Sequence, residues 1–412
     1  MKSVVVTAIA VSALAVTAAI AGCGGAVPRQ SITARVVAAA PSGAATPGTQ
    51  PAQPGGTAAP APPAPAPLPG GHVGTLAQVP WAQIGPGWAL AAYTTGNTHS
   101  AGPVTLYMLN PEGEMYQIYR WPATTQPWFL IDWSGDKSRV LLEQPGASRP
   151  TLHQLTIATG QVTTFTLPQA VTSVLGYTRP DGDNILVTQN GIARYSLSGA
   201  FQARLSQGGA NDSAVSSLDG LTEVVSGAGG VELVRNAGGL VRRLPVPGTA
   251  GSDGACRPMR WWTAADVLVS CVPNTGPSMV AAARLWLVPV SGAAPTALTP
   301  QRPAGSADFG DVDAWQLPTG LYLQAEAGCG PPFIAKELSG TAVQAISPAS
   351  VVVATSGDRM LVQRYSECMP GSSLVWLNPA TGNAQRVLTA QRDSIGVWSA
   401  IAFDGDGQQP RG

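Results

Sequence analysis

The sequence predicts an all-β fold built from seven similar repeats. Seven short apolar runs each end in a turn that contains glycine, and these glycines recur about every 45 residues between Gly113 and Gly382. A second series of seven turns precedes them, and each of its turns is followed by a run rich in Val, Leu, Ile and Tyr. Such a period is typical of the four-stranded blade of a β-propeller. We therefore expect seven four-stranded blades that hide their sheet edges by closing into a ring.

Each repeat is interpreted as strand A, a tight turn, strand B, a variable loop, strand C, a glycine turn and strand D. Asp-Gly and Gly-Asp pairs in the first turn tolerate the positive φ that tight hairpins need. The glycines of the second turn are Gly113, Gly160, Gly199, Gly239, Gly292, Gly340 and Gly382. No amphipathic helix of ten or more residues is predicted in the mature chain, which argues against an α/β fold. Two β-sandwiches are the alternative architecture.

The chain begins with an apolar segment that predicts export. Lys2 is the only charge ahead of an apolar run of about 17 residues, and residues 1–22 are typical of a secretory signal peptide. A retained transmembrane anchor is the alternative, because such a run is near the lower limit for spanning a bilayer. The tetrapeptide Ile-Ala-Gly-Cys that ends at Cys23 resembles the lipobox of bacterial lipoproteins. This resemblance implies that Cys23 is lipid-modified and starts the mature protein, whereas an incidental cysteine beside an ordinary cleavage site is the alternative.

Residues 23–73 are predicted to form a disordered linker. They are rich in Pro, Ala, Gly and Thr and offer almost no large apolar side chain from which to build a core. About fifty such residues span roughly 40 Å as a flexible coil and up to about 155 Å as polyproline II. Residues 74–412 are therefore assigned to the propeller.

Four cysteines remain once Cys23 is assigned to the lipid, and an even number in an exported chain predicts two disulfides. Of the three possible connectivities we prefer Cys256–Cys271 with Cys329–Cys368, because a separation of 15 residues suits two neighbouring strands. Zinc is the competing interpretation, but the sequence has no C-x-x-C spacing and only three scattered histidines. We expect no metal and no cofactor.

Charge disfavours one large class of partner. The 23 basic and 23 acidic residues cancel, and only 11% of positions are charged, which leaves no electrostatic footprint for nucleic acid. We expect no nucleic-acid partner, and we expect a monomer that meets the membrane through its lipid anchor.

The densest acidic cluster lies in "SADFGDVDAW", where Asp308, Asp311 and Asp313 lead into a strand A. Alternation along a strand would place Asp311 and Asp313 on the same side. They could bind Ca²⁺ or serve as paired carboxylates in sugar chemistry, and a solvated loop between blades is the alternative. Asp132 and Asp136 flank a tight turn and are interpreted as turn residues of a blade.

The eleven tryptophans suggest stacking on carbohydrate. Core packing explains most of them better, since Trp286 and Trp376 occupy the same place in their repeats. Trp121, Trp128 and Trp261 lie near connections between blades and are candidates for a ligand-facing surface.

Two stretches, "DWSGDK" from Asp132 and "RPDGDN" from Arg179, resemble the S-P-D-G-K motif of TolB-like propellers. Arg far outnumbers Lys, and Ala, Gly and Pro are abundant. Together with the lipobox, these features make the chain resemble actinobacterial TolB-like lipoproteins. The resemblance implies the propeller fold and not the role of TolB, because TolB has six blades and an N-terminal domain where this chain has a linker.

Two classes of function remain. Strand direction places the loops between strands B and C, the connections between blades and all four cysteines on one face, and loops on a rigid scaffold commonly carry binding function. We expect a non-enzymatic binding module on the outer side of the cell membrane that presents this face to an envelope protein, peptide or glycan. The alternative is a carbohydrate-active hydrolase or lyase that uses the acidic loop. No G-x-S-x-G elbow occurs in the sequence.

Overall fold

The computed structural model describes fifteen parts of the chain. They are residues 73–96, 102–121, 128–144, 149–207, 213–217, 219–227, 229–247, 249, 256–272, 283–300, 310–326, 332–338, 343–365, 372–391 and 394–403. Cys23, Cys329, Cys368 and Asp308 lie outside the described residues, as do the predicted signal peptide and all of the predicted linker except Val73.

The described residues form 29 β-strands and two single 3₁₀ turns, Leu76–Gln78 and Trp81–Gln83. The first four strands are β1 (Val73–Thr75), β2 (Ala89–Thr94), β3 (Val104–Leu109) and β4 (Met115–Arg120). The next twelve are β5 (Phe129–Trp133), β6 (Arg139–Glu143), β7 (Thr151–Thr156), β8 (Gln161–Thr166), β9 (Ser173–Tyr177), β10 (Asn184–Thr188), β11 (Ile192–Ser196), β12 (Phe201–Arg204), β13 (Ala214–Ser216), β14 (Thr222–Gly227), β15 (Gly230–Arg235) and β16 (Leu240–Pro245). The last thirteen are β17 (Cys256–Trp261), β18 (Asp266–Cys271), β19 (Arg284–Pro289), β20 (Thr296–Ala297), β21 (Gly310–Leu317), β22 (Gly320–Glu326), β23 (Phe333–Glu337), β24 (Val343–Ser347), β25 (Ser350–Ser356), β26 (Arg359–Tyr365), β27 (Ser372–Leu377), β28 (Ala384–Leu388) and β29 (Gly396–Ala402).

These strands build seven four-stranded antiparallel blades. Blades 2 to 7 use consecutive strands, from β5–β8 in blade 2 to β25–β28 in blade 7. The first strands of neighbouring blades contact one another, as β5 does with β9 and β13 with β17, which places strand A of each blade at the centre of the ring. The seven-bladed β-propeller predicted from the repeat is confirmed.

Blade 1 is assembled from both ends of the folded chain. The late strand β29 provides its innermost strand and pairs antiparallel with β2, from Ala89 opposite Ala402 to Thr94 opposite Gly396. At the outer edge, β1 adds a fifth strand parallel to β4, with Val73 opposite Met115. The ring is therefore closed by hydrogen bonds between its first and last segments, which the sequence repeat did not predict.

The glycines predicted in the turns between strands C and D have a left-handed backbone conformation. Six of the seven predicted glycines lie in the described residues, and all six have positive φ, from 69° at Gly160 to 101° at Gly239. An L side chain is strained in this region of φ, whereas glycine is not. Gly340 falls outside the described ranges. The spacing of these glycines therefore gives the correct register for six blades.

A β-bulge recurs in the inner strands. In six of the seven, the register with strand B shifts by one residue and leaves one residue unpaired between two paired ones. These residues are Ile131, Leu175, Met259, Val312, Val353 and Trp398. All six are apolar and partly exposed, whereas the residue before each of them is buried.

Buried apolar side chains fill the contacts between blades. Leu141 of blade 2 packs with Ile185 and Val187 of blade 3, and Leu268 of blade 5 packs with Leu323 of blade 6. The core is thus spread around the ring rather than gathered at one centre. The inner strands face the axis, and in six of them the bulge leaves one apolar side chain partly exposed there, although five of these six still pack against a core cluster.

Candidate functional site

The inner strands of blades 5 and 6 hold most of the described residues that the sequence singles out. The disulfide between Cys256 and Cys271 joins the first residue of β17 to the last residue of β18. The two residues are direct partners in the antiparallel register, with 4.1 Å between their Cα atoms. The bond therefore clamps the loop-side end of blade 5, and it is one of the two pairings that the sequence analysis prefers.

Arg260 and Asp313 form an ion pair that connects blade 5 to blade 6. The guanidinium of Arg260 donates to Oδ1 of Asp313 and lies 4.6 Å from the centre of the Trp315 ring. The same carboxylate oxygen accepts the backbone N–H of Ala314 at 2.8 Å. Asp313 is thus held by a cation and a backbone donor, and its contacts are those of a residue that joins two blades.

Asp311 and Asp313 do not project together as strand alternation predicts. The bulge at Val312 makes them pair with two adjacent residues of β22, Ala325 and Gln324, which point to opposite faces of that strand. Asp311 is also fully buried at 0% exposure, whereas Asp313 is partly exposed. The expectation that both carboxylates line one side of the strand is wrong, because one extra residue in β21 breaks the period of two.

The three tryptophans proposed as a ligand-facing surface are buried. Trp128 stacks on His153 with 3.7 Å between the ring centres and meets Trp121 edge-on at 5.8 Å, inside the contact between blades 1 and 2. Trp261 packs in the core between blades 4 and 5, and its Nε1–H donates to the carbonyl oxygen of Ser216 at 2.7 Å. Burial also lowers the pKa of His153. These rings offer a ligand little surface in the structure.

The inner strands of blades 2 and 3 are linked by a second ion pair. Arg179 donates from Nη1 to Oδ2 of Asp132 at 2.8 Å and from Nη2 to Oδ1 at 3.0 Å. Asp132 also accepts the backbone N–H of Tyr177 at 2.7 Å. The sequence pattern predicts a turn residue at Asp132, but in the structure Asp132 lies on β5 and links two blades. A charged side chain near the end of an inner strand was the only sequence signal for this pair.

Asp136 is a turn residue, as predicted, and the same turn recurs in blade 4. The hydroxyl of Ser134 donates to Asp136 at 2.5 Å, and that of Ser217 donates to Asp219 at 2.5 Å. The hydroxyl of Ser217, together with the backbone N–H of Leu221, lowers the pKa of Asp219. These carboxylates satisfy backbone and hydroxyl donors in tight turns between strands A and B.

Glu223 is a buried carboxyl group that the sequence analysis missed. It lies on β14 with 0% exposure, and burial raises its pKa to about 7 against the opposing influence of Ser216, Arg179 and Arg194. An alignment of the B strands would have revealed it, because "LTEVVSG" has a glutamate where "SRVLLEQ" and "ADVLVSC" have valine.

A shallow cavity of about 340 Å³ lies on the tight-turn face where blade 7 meets blade 1. Its lining residues are Arg359, Trp376, Asn378, Asn383, Ala384 and Gln385. Several of their polar groups hold the ring closed, since Arg359 donates to the carbonyl oxygen of Pro111 at 2.9 Å and Gln385 donates to that of Glu112 at 3.1 Å. This cavity is a feature of the closure between blades 7 and 1.

Within the described ranges, no three His, Cys, Asp or Glu side chains are grouped so that they could hold a metal ion. No helix in the same ranges has both the length and the apolar character needed to cross a membrane.

The chain matches no protein-family profile and no curated protein. Among solved structures it is similar to the β-propeller domain of the Trilobed protease from Pyrococcus furiosus, with a TM-score of 0.47 and 8% identity over 75% of this chain and 96% of that one. It is also similar to TolB from Acinetobacter baumannii, with a TM-score of 0.44 and 12% identity over 76% of this chain, but it spans only 66% of the TolB chain. An oligogalacturonate lyase in complex with manganese gives a TM-score of 0.41 and 14% identity over 74% of this chain and 86% of the lyase. Structural neighbours therefore include TolB-like propellers and propeller enzymes, and none of them assigns an activity to this chain.

Proposed function

We propose that this protein is an exported, lipid-anchored β-propeller that acts as a non-enzymatic binding module of the cell envelope. In this proposal the protein is an actinobacterial lipoprotein whose Cys23 carries the lipid. The predicted linker of residues 23–73, whose last residue Val73 already belongs to β1, tethers the propeller to the outer side of the cell membrane. The face that contains the loops between strands B and C binds an envelope protein, peptide or glycan.

The observation that carries the proposal is that the carboxylate of Asp313 is engaged in an ion pair with Arg260 of the neighbouring blade. General acid–base catalysis needs a carboxyl group that reaches substrate and exchanges its proton there. Asp313 instead joins two blades, and Asp311 is buried in the wall of the ring. A rigid ring with a disulfide at its loop-side end is suited to presenting a surface of fixed shape.

The binding surface begins beside this disulfide. Arg257 follows Cys256 and is exposed, and the apolar side chains of Met259 and Val312 are partly exposed further along the same inner wall. An exposed cation next to apolar surface suits recognition of an anionic or amphipathic ligand. We expect the partner to contact Arg257.

Site-specific photo-crosslinking in intact cells tests this surface. A photoreactive residue at position 257 should give one discrete adduct, whereas the matched control at Arg243, an exposed side chain on the outermost strand of blade 4, should give none. Equal crosslinking at both positions, or none at position 257, would contradict the proposed surface. Reproducible cleavage of envelope glycans by the wild type, abolished by Asp313→Asn in protein that remains folded, would favour the hydrolase or lyase alternative.

The anchor is tested separately. A palmitate analogue should label the wild-type protein, and Cys23→Ala should lose both the label and stable membrane retention, because stable attachment requires more than one acyl chain. Continued acylation of Cys23→Ala would contradict the lipid anchor without affecting the crosslinking result.

A further inference from the structure

Glu223 lies in the contact between blades 3 and 4. It is fully buried, and neither carboxylate oxygen meets a hydrogen-bond donor at suitable geometry among the described residues, although the hydroxyl of Ser216 is near enough to favour the charged form. Val225, two residues further along β14, packs with Leu186 and Ile192 of blade 3. Because residues two apart on a strand share a face, Glu223 also points toward blade 3.

Other blades place an aliphatic side chain at this position. In each of blades 2, 3 and 5, the last residue of strand A is aromatic and pairs with a buried Val or Ile of strand B. The three pairs are Trp133 with Val140, Tyr177 with Ile185, and Trp261 with Val267. Blade 4 instead pairs the small Ser216 with Glu223. An ionisable group therefore replaces a hydrophobic one at a repeated core position.

Two arginines of blade 3 are the charged groups that act on Glu223, and both already have other partners. Arg179 forms a bidentate ion pair with Asp132 of blade 2. Arg194, on β11, donates from Nη1 to Oδ1 of Asn236 at 2.9 Å. Within blade 4, the neighbouring polar group is the Ser216 hydroxyl. Both Nη atoms of Arg179 are bound to Asp132, so a charge on Glu223 can draw this arginine closer only by disturbing that ion pair, whereas Nε of Arg194 is buried without a hydrogen-bond partner among the described residues.

We propose that Glu223 is a proton-linked lock between blades 3 and 4. When protonated, it fills the interface as Val140 and Ile185 do in their own blades. When it releases its proton to solvent, the buried charge competes with Asp132 for Arg179 and loosens the contact between the blades. The lock is independent of the binding surface proposed at Arg257.

The direction of the pH effect follows from the burial of this group. Burial raises the pKa of Glu223 from its ordinary value of 4.5 to about 7, so the folded protein holds this proton more tightly than the unfolded chain does. The stabilisation is therefore complete below the unfolded value and is lost as the pH rises through the folded one. The free energy of unfolding of the propeller should be higher in mildly acidic than in neutral solution.

Urea unfolding of the full chain at several pH values between 5 and 8 tests the lock. We expect the unfolding constant of the wild type to rise tens of fold over this range, since one pKa unit corresponds to a tenfold change. Glu223→Gln keeps the shape of the side chain and removes its ionisation, so this part of the rise should vanish. Glu232→Gln, a change of a surface-accessible glutamate in the same blade, should retain it. Equal pH profiles in the wild type and Glu223→Gln would overturn the proposal.

If the Glu223→Gln variant fails to fold, a second variant and a local measurement still test the proposal. Glu223→Val restores the residue type of blades 2 and 5 and should also remove this part of the pH dependence. Hydrogen exchange, corrected for the intrinsic effect of pH, should show β11 and β14 opening more readily at pH 8 than at pH 6 in the wild type only. Uniform opening of all blades would overturn the assignment to this interface.

Discussion

Asp132 of blade 2 and Asp313 of blade 6 occupy the same position of their inner strands, the first paired residue after the β-bulge. Each accepts the backbone N–H of the next residue at 2.8 Å, and each binds an arginine of a neighbouring blade. The bulge thus creates a repeated site for linking adjacent inner strands. In blade 3 the same position is Gly176, where a Cβ atom would come within 2.7 Å of Oδ2 of Asp132.

Removal of one partner of the Arg260–Asp313 pair should destabilise the fold strongly. Arg260→Ala and Asp313→Ala should each lower the free energy of unfolding by about 3 kcal/mol, because the remaining charge is left in a largely buried site. The double variant should lose clearly less than the sum of the two, as a double-mutant cycle in urea measures. The matched control is the pair of Arg243 and Glu232, in which the arginine side chain is 76% exposed. Removing either partner of this pair should lower the free energy of unfolding by less than about 1 kcal/mol. Strict additivity at Arg260 and Asp313 would contradict the structural role of the pair.

Gly220 should tolerate a side chain far less well than Gly382, although both have positive φ, 68° and 76°. A Cβ atom on Gly220 would lie 2.1 Å from the carbonyl oxygen of Arg179, whereas nothing lies within 4 Å of one on Gly382. Gly382→Ala should cost about 1 to 2 kcal/mol for the backbone conformation alone. Gly220→Ala should cost roughly 1 to 3 kcal/mol more, since the turns of blades 3 and 4 must move apart. Chemical denaturation measures both, and equal losses would show that these two turns are not in close contact.

Phe403 should contribute much more to stability than its place near the end of the chain suggests. It is 2% exposed, meets Trp133 edge-on at 5.0 Å and donates its backbone N–H to Trp88 at 2.7 Å. Phe403→Ala should therefore cost about 3 to 5 kcal/mol in thermal or urea unfolding. Phe201, which is 53% exposed on an outer strand, is the control, and Phe201→Ala should cost under about 1 kcal/mol. A small effect at Phe403 would mean that the stability of the ring does not depend on the residue that follows β29.

Loss of the disulfide should weaken blade 5. Replacing Cys256 and Cys271 together by alanine should lower the free energy of unfolding by up to about 3 kcal/mol, the value for a closed loop of 15 residues. Urea unfolding with and without reductant measures this loss. Any sensitivity to reductant that persists in the double variant would report a further disulfide, for which Cys329 and Cys368 are the predicted pair. Identical stability of the wild type and the double variant without reductant would contradict a stabilising role.

The sequence predicts the periodic part of this fold well. Glycine is strongly favoured in the positive-φ turns between strands C and D, as at Gly160 and Gly239, so the spacing of these glycines reports the blade register directly. The spacing of 15 residues places Cys256 and Cys271 on neighbouring strands, but their direct pairing also depends on the bulge at Met259, which shifts the register by one residue.

Features that depend on one extra residue or on a distant segment were not predictable in this way. The bulge at Val312 reverses the expected relation of Asp311 and Asp313, and no residue type marks a bulge in a β-rich run. The pairing of Asp132 with Arg179 depends on how two blades pack, which local pattern does not encode. Burial of Glu223 could be inferred only by comparing equivalent positions across blades.

The position of β29 determines when the protein can finish folding. This strand is the last described segment of the chain, yet it is the innermost strand of the blade that also contains β2, β3 and β4. During synthesis, blade 1 therefore lacks its innermost strand until residue 402 has emerged from the ribosome. Under the export proposed above, circular closure would take place on the far side of the membrane, after β29 has crossed it. A product truncated at residue 395 would retain six blade sequences and still lack a closed ring.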